Sequence, residues 1–115
     1  MYEKETEYKK IFQFQKRWAK HWQTYSAHRS HSSTQGMIDS AKKTLNYIES
    51  IDTKEKTYKT KLELLDVFFD EQDRIERGSR GYDSFYYDAK RFNERSYNSI
   101  AKSEPVFIPK LSNFH

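Results

Sequence analysis

His21, His28 and His31 stand seven and three residues apart, a spacing at which imidazoles on one persistent helix can converge on a metal ion. No Cys, Asp or Glu lies among them to complete a coordination shell, and Lys16, Arg17, Lys20 and Arg29 surround them with positive charge. No metal and no other cofactor is expected. The same cations, joined by Lys9, are spaced to meet phosphates, and Trp18 and Trp22 could offer rings on which bases stack. Yet Trp18 and Trp22 are four apart and in register with Ile11, Phe14 and Tyr25, so periodicity assigns them to a helix core. The histidines fall to the end of that helix and the loop after it.

A second set of candidates lies near the C-terminus. The segment "GSRGYDSFYYDAKRFNERSYNS" follows two glycines with a helix carrying Tyr86, Tyr87, Lys90, Arg91, Asn93 and Arg95, all read as its polar side. Tyrosine joins apolar area to a polar tip and is enriched at protein interfaces. Beyond it, "PVFIPKL" places Val106, Phe107, Ile108 and Leu111 outside any regular element. These residues must dock back on the domain or bind a partner.

Catalysis finds no comparable footing. Cysteine is absent, and there is neither a glycine-rich phosphate loop nor a Ser-His-acid set. Helical ribonucleases of the HEPN type separate their Arg and His by four to six residues, whereas only three separate Arg17 from His21. "KLELLDVFF" has the leucine and Phe-Phe pair of peptides that bind sliding clamps but lacks their glutamine, and core packing accounts for it. A non-enzymatic protein is expected.

The elements that must position these residues are helical. At 115 residues the chain suits one domain with one core. Mean hydropathy is only -1.11, but nine Tyr, eight Phe and two Trp can build a thin aromatic core, which disordered chains lack. Steps of three and four predict a first helix over residues 2–27, with Tyr8, Ile11, Phe14, Trp18, Trp22 and Tyr25 as its stripe. "RSHSSTQG" ends it. A second helix, capped by Ser33 or Thr34 and burying Met37, Ala41, Leu45 and Ile48, ends near Ser50. Asp52 or Thr53 is expected to cap a third, whose stripe Tyr58, Leu62, Leu65 and Phe69 carries it to Ile75. Gly78 and Gly81 break the chain again, and a fourth helix over residues 82–102 buries Phe85, Ala89, Phe92 and Ile100. Pro105 and Pro109 forbid helix beyond that.

The expected fold is therefore all-α, a small antiparallel bundle of about four helices over residues 1–102 with an extended tail over 103–115. Charge is segregated along it. No acid stands between Tyr8 and Ile38, while Glu63, Asp66, Asp70 and Asp73 step along the third helix as a carboxylate stripe. Within one bundle the stripe and the basic first helix would form surface ion pairs; between copies they would favour head-to-tail association.

The function these features imply is a small protein-binding module, an adaptor, inhibitor or assembly component, working through Tyr86, Tyr87, Lys90, Arg91, Arg95, Phe107 and Ile108. The cysteine-free, Lys-, Asn- and Tyr-rich composition suits a phage or mobile-element product. Its partner is expected to be another protein, an acidic one, given the net charge of +4, with homo-oligomers also open. The competing expectation is nucleic-acid binding through Lys9, Lys16, Arg17, Lys20 and Arg29 together with the fourth helix. No apolar run is long enough for a membrane span or a leader, so a soluble, cytoplasmic protein is expected.

Overall fold

The computed structural model describes residues 2–26, 32–77 and 84–108, and within them the chain is all-helical. Four helices form in order: α1 (Tyr2–Ser26), α2 (Ser32–Asp52), α3 (Tyr58–Arg77) and α4 (Ser84–Ala101). Each is amphipathic, so burying its apolar stripe against the others is what holds it. Side chains meet in reversed order along α4 and α1: Phe85 lies beside Trp18, Phe92 beside Phe14 and Tyr97 beside Tyr8. Asp70 pairs with Lys90, and Leu62 meets Asn93, so α3 and α4 are antiparallel. Tyr47 reaches Leu64 while Asp52 reaches Lys61, so α2 and α3 are antiparallel too. It follows that α1 and α2 also run in opposite directions.

The expected stripes supply most of the core. Ile11, Phe14, Trp18, Ala41, Ile48, Leu62, Leu65, Phe69, Phe85, Ala89, Phe92 and Ile100 are all buried. Trp22 is half-buried against them. Phe12, which the α1 stripe omits, is also fully buried, because its ring packs against Tyr58 of α3 at 5.5 Å. With neighbours on three sides, α1 buries a wider arc than a single stripe.

The start of α3 differs from expectation. Asp52 is not its cap but the last residue of α2, two residues beyond Ser50, and its carboxylate is held by Lys16 at 3.1 Å and Lys61 at 3.2 Å. Thr57 caps α3 instead: its Oγ1 accepts the Thr60 N–H at 3.2 Å, which satisfies a donor that no turn of helix can. A second cap comes from another helix. The Glu5 carboxylate accepts the Tyr58 N–H at 2.9 Å, a charge placed favourably at the positive end of α3. Gly78, Gly81 and Tyr82 lie outside the described residues, as do the histidines 28 and 31, Arg29 and the tail from Pro109.

The end of α4 turns the chain back. Ser103 N–H donates to the Ile100 carbonyl at 3.0 Å and Glu104 N–H to the Ser99 carbonyl at 2.8 Å, the paired bonds of a Schellman stop. That stop needs a left-handed residue, and Ser103 has φ 62°. Pro105 then prevents any resumption of helix.

Candidate functional site

Three elements converge on one face. The outer side of α1 is basic because its apolar residues are taken by the core: Lys9, Lys10, Arg17 and Lys20 are exposed. Lys9, Arg17 and Lys20 make no ion pair among the described residues, whereas Lys10 stands 3.6 Å from Glu7. On α4, Arg91 and Arg95 are both exposed and lie one turn apart, and Arg91 pairs with Asp88 at 2.6 Å. Arg95 makes no ion pair among the described residues.

The tail joins the two helices. Ser99 Oγ lies 3.1 Å from the Glu104 carbonyl and 3.0 Å from that of Pro105, sharing its proton between them and pinning the chain to α4. Extended backbone then alternates its side chains. Val106 and Ile108 pack on the core, while Phe107 between them points out and is 79% exposed. Phe107 lines one recess with Phe92, Arg95, Ser96 and Ser99. Ile108 lines a second, with Lys9, Lys10, Gln13 and Arg17 of α1. The tail thus bridges α4 and α1, presenting an exposed phenyl ring beside Arg95.

Candidates from both expected sets therefore meet: Arg95, Phe107 and Ile108 from the protein-binding set, Lys9 and Arg17 from the nucleic-acid set. The others are placed elsewhere. Tyr86 is not on the polar side of α4 but is buried at 3% exposure, its ring packed near Phe68, Phe69 and Phe85. Asn93 is likewise buried, and its Nδ2 donates to the Leu62 carbonyl at 3.2 Å and to Asp66 at 3.4 Å. The physical reason for both is that α4 packs against α3 as well as α1, so its buried arc extends past the Phe85–Phe92 line. Tyr87 is half-buried. Lys90 faces α3, paired with Asp70. Lys16 is half-buried and committed to Asp52, and Arg29 lies outside the described residues.

Opposite in charge is the groove between α3 and α4, lined by Glu63, Asp66, Glu94, Tyr97 and Asn98. Glu63, Asp66 and Asp70 of the expected carboxylate stripe thus lie toward α4. Burial pushes the Asp66 carboxyl above its ordinary value despite the Asn93 hydrogen bond, and Glu94 and Asp70 push it further. Burial also raises the Tyr97 hydroxyl, helped by the charges of Glu63 and Asp66. Its proton is donated to the Lys59 carbonyl at 3.0 Å.

Gln15, Asn93 and Lys61 are among the polar side chains buried in the core, where the spacing argument places none of them. Each occupies a core register position, Gln15 between Ile11 and Trp18, Lys61 between Tyr58 and Leu65, Asn93 between Ala89 and Ile100. A polar residue in an apolar stripe was the available signal. Gln15 Nε2 donates to the Ala89 carbonyl at 3.2 Å, tying α1 to α4 behind the tail face. Among the described residues, no three His, Cys, Asp or Glu side chains could hold a metal ion. His21 sits edge-on to the Trp22 ring at 6.0 Å. Among the described residues no helix is long and apolar enough to cross a membrane. Comparison with protein-family models, curated proteins and solved structures finds no match to this chain.

Proposed function

We propose that the chain is a non-enzymatic binding module that engages an acidic protein surface through its tail face. The observation that carries this reading is Phe107, a large apolar ring left 79% exposed beside Arg95. Its neighbours Val106 and Ile108 dock, so the backbone is fixed and the ring is displayed rather than loose. A rigid aromatic anchor next to an arginine is the composition of interface hot spots. Lys9 and Arg17 of α1 line the recess at the adjacent Ile108 and favour a partner bearing carboxylates.

Nucleic-acid binding draws on the same cations but loses its stacking rings, since Trp18 is buried and Trp22 half-buried. Affinity capture from the native host, with and without nuclease, separates the two. An acidic protein retained by the wild-type chain in the presence of nuclease, and lost with Arg95→Ala/Phe107→Ala, is the expected result. Capture that disappears with nuclease, or retention on DNA that falls steeply above about 50 mM salt, would overturn it.

A further inference from the structure

Each charged face carries side chains that make no ion pair among the described residues. On the tail face, Lys9, Arg17 and Arg95 make no ion pair among the described residues. In the α3–α4 groove, Glu63 and Glu94 make none either. Glu63, Asp66 and Glu94 line the groove, and the Lys90 ammonium near it is paired to Asp70 and also feels the charges of Glu94 and Asp66. Two opposite surpluses persist because α4 separates them. Glu94 and Arg95 are sequence neighbours, yet Glu94 lines the groove toward α3 while Arg95 lines the tail recess. Consecutive positions on a helix diverge by about 100°, so neither face can reach the other within one chain.

We propose that the acidic partner of the tail face is a second copy of this chain, received head to tail in the carboxylate-lined groove between α3 and α4. This identification rests on the docking role assigned to the tail face above. Arg95 of one copy meets Glu63 and Glu94 of the next in charge-assisted hydrogen bonds, and Phe107 packs against the half-buried Tyr97 ring that lines the same groove. The fit is chemical on both sides: a cation and a phenyl ring on one, carboxylates and a phenol ring on the other. Burial raises the Asp66 carboxyl and the Tyr97 hydroxyl first, and the carboxylates beside them (Glu94 and Asp70 for Asp66, Glu63 and Asp66 for Tyr97) add a smaller push that an incoming guanidinium would relieve.

A head-to-tail contact uses two different patches, so every added copy still presents one free face of each kind. Assembly then grows past a dimer unless the rotation closes a ring. Because the contact is led by exposed charge, it must weaken with salt.

Sedimentation velocity of the full chain tests this directly. At about 50 mM salt the weight-average mass is expected to rise with concentration beyond that of a dimer, and to return to the monomer near 500 mM, where the screening length is only a few ångströms. Arg95→Ala/Phe107→Ala removes one side of the contact and Glu63→Gln/Glu94→Gln the other. Each variant alone should associate at least tenfold more weakly than wild type, with an unchanged circular dichroism spectrum, since all four positions are exposed. Mixed in equal amounts, the two variants should form a one-to-one complex that does not grow, because only one compatible pair of faces remains. A wild-type chain that stays monomeric at low salt, association indifferent to salt, or a mixture that forms no complex would each overturn the proposal. If the wild type is monomeric but Arg95→Ala/Phe107→Ala still loses an acidic partner in capture, only the second copy is wrong. If the wild type associates and that variant associates equally well, the tail face itself is wrong.

Discussion

Lys61 is the most demanding residue in the chain: a lysine at 5% exposure, in a helix register that calls for an apolar side chain. Its ammonium sits 4.4 Å from the centre of the Tyr58 ring and 5.4 Å from that of Phe12, and it donates to both the carboxylate and the carbonyl of Asp52. A charge removed from water is tolerable only when so surrounded. Removing one partner of a buried pair leaves the other unpaired, at a cost of about 3–5 kcal/mol. Asp52→Ala should therefore destabilise the chain by about 3 kcal/mol. Lys16 is more open and has water as an alternative partner, so Lys16→Ala should cost less than about 1 kcal/mol. Urea melts of the two variants check this order, and equal losses would mean that Lys61 does not depend on Asp52. The pH dependence carries the same signature. Burial alone would raise the Asp52 carboxyl, but Lys16 and Lys61 overcome it and hold the group below its ordinary value of 3.8. A depressed carboxyl stabilises the fold above its unfolded pKa, and that contribution is lost as pH falls through its lower folded value.

At the scale of elements, the end of α4 decides whether the tail face exists at all. Its turn places a serine in the left-handed region, at φ 62°, where a side chain with a β-carbon is held at a cost of about 1 kcal/mol. Ser103→Gly should remove that strain and stabilise the chain by about 0.5 kcal/mol after glycine's greater unfolded-state entropy is subtracted. Ser99→Ala should act the other way, by about 1 kcal/mol, since one hydroxyl holds both the Glu104 and Pro105 carbonyls. Thermal melts should move in opposite directions, by a few degrees at most. The helices themselves were legible from three-and-four spacing because each stripe is long and aromatic. The tail was legible only as a choice: its apolar residues could dock or bind. The structure divides them, Val106 and Ile108 inward and Phe107 outward, as the alternation of extended backbone requires. Tyr86 and Asn93 were misplaced for a related reason. A periodic pattern gives the centre of a buried arc, but its width depends on how many neighbours a helix has, and α4 packs against all three others.

At the scale of the whole molecule, the segregation of charge is visible in sequence as an acid-free run, but its geometry is not. The basic run from Tyr8 to Ile38 could meet the α3 carboxylates within one bundle or between copies; within the bundle, Glu63, Asp66 and Asp70 lie toward α4, which carries both signs. The consequence is a groove in which burial, and after it the neighbouring carboxylates, works against a charged Asp66. Asp66 is the sensitive reporter, because burial first, then Glu94 and Asp70, raise its carboxyl above 3.8. The sign is the reverse of Asp52. A raised carboxyl binds its proton more tightly in the folded state, so stability falls as pH rises from 3.8 through the higher folded value, and the penalty is complete above it. Asp66→Asn removes that penalty while keeping an oxygen to accept from Asn93. The variant should be more stable than wild type at pH 7, and the difference should shrink toward zero as pH falls through the folded Asp66 value. Denaturant titrations at intervals between about pH 3 and 7, run beside Asp52→Asn, give a paired test. The Asp52 variant should start less stable than wild type and converge only below pH 3.8, whereas the Asp66 variant starts more stable and converges above it. Parallel profiles for the two would mean that the folded state does not disfavour the charged Asp66 carboxyl, neither by burial nor by the Glu94 and Asp70 charges beside it.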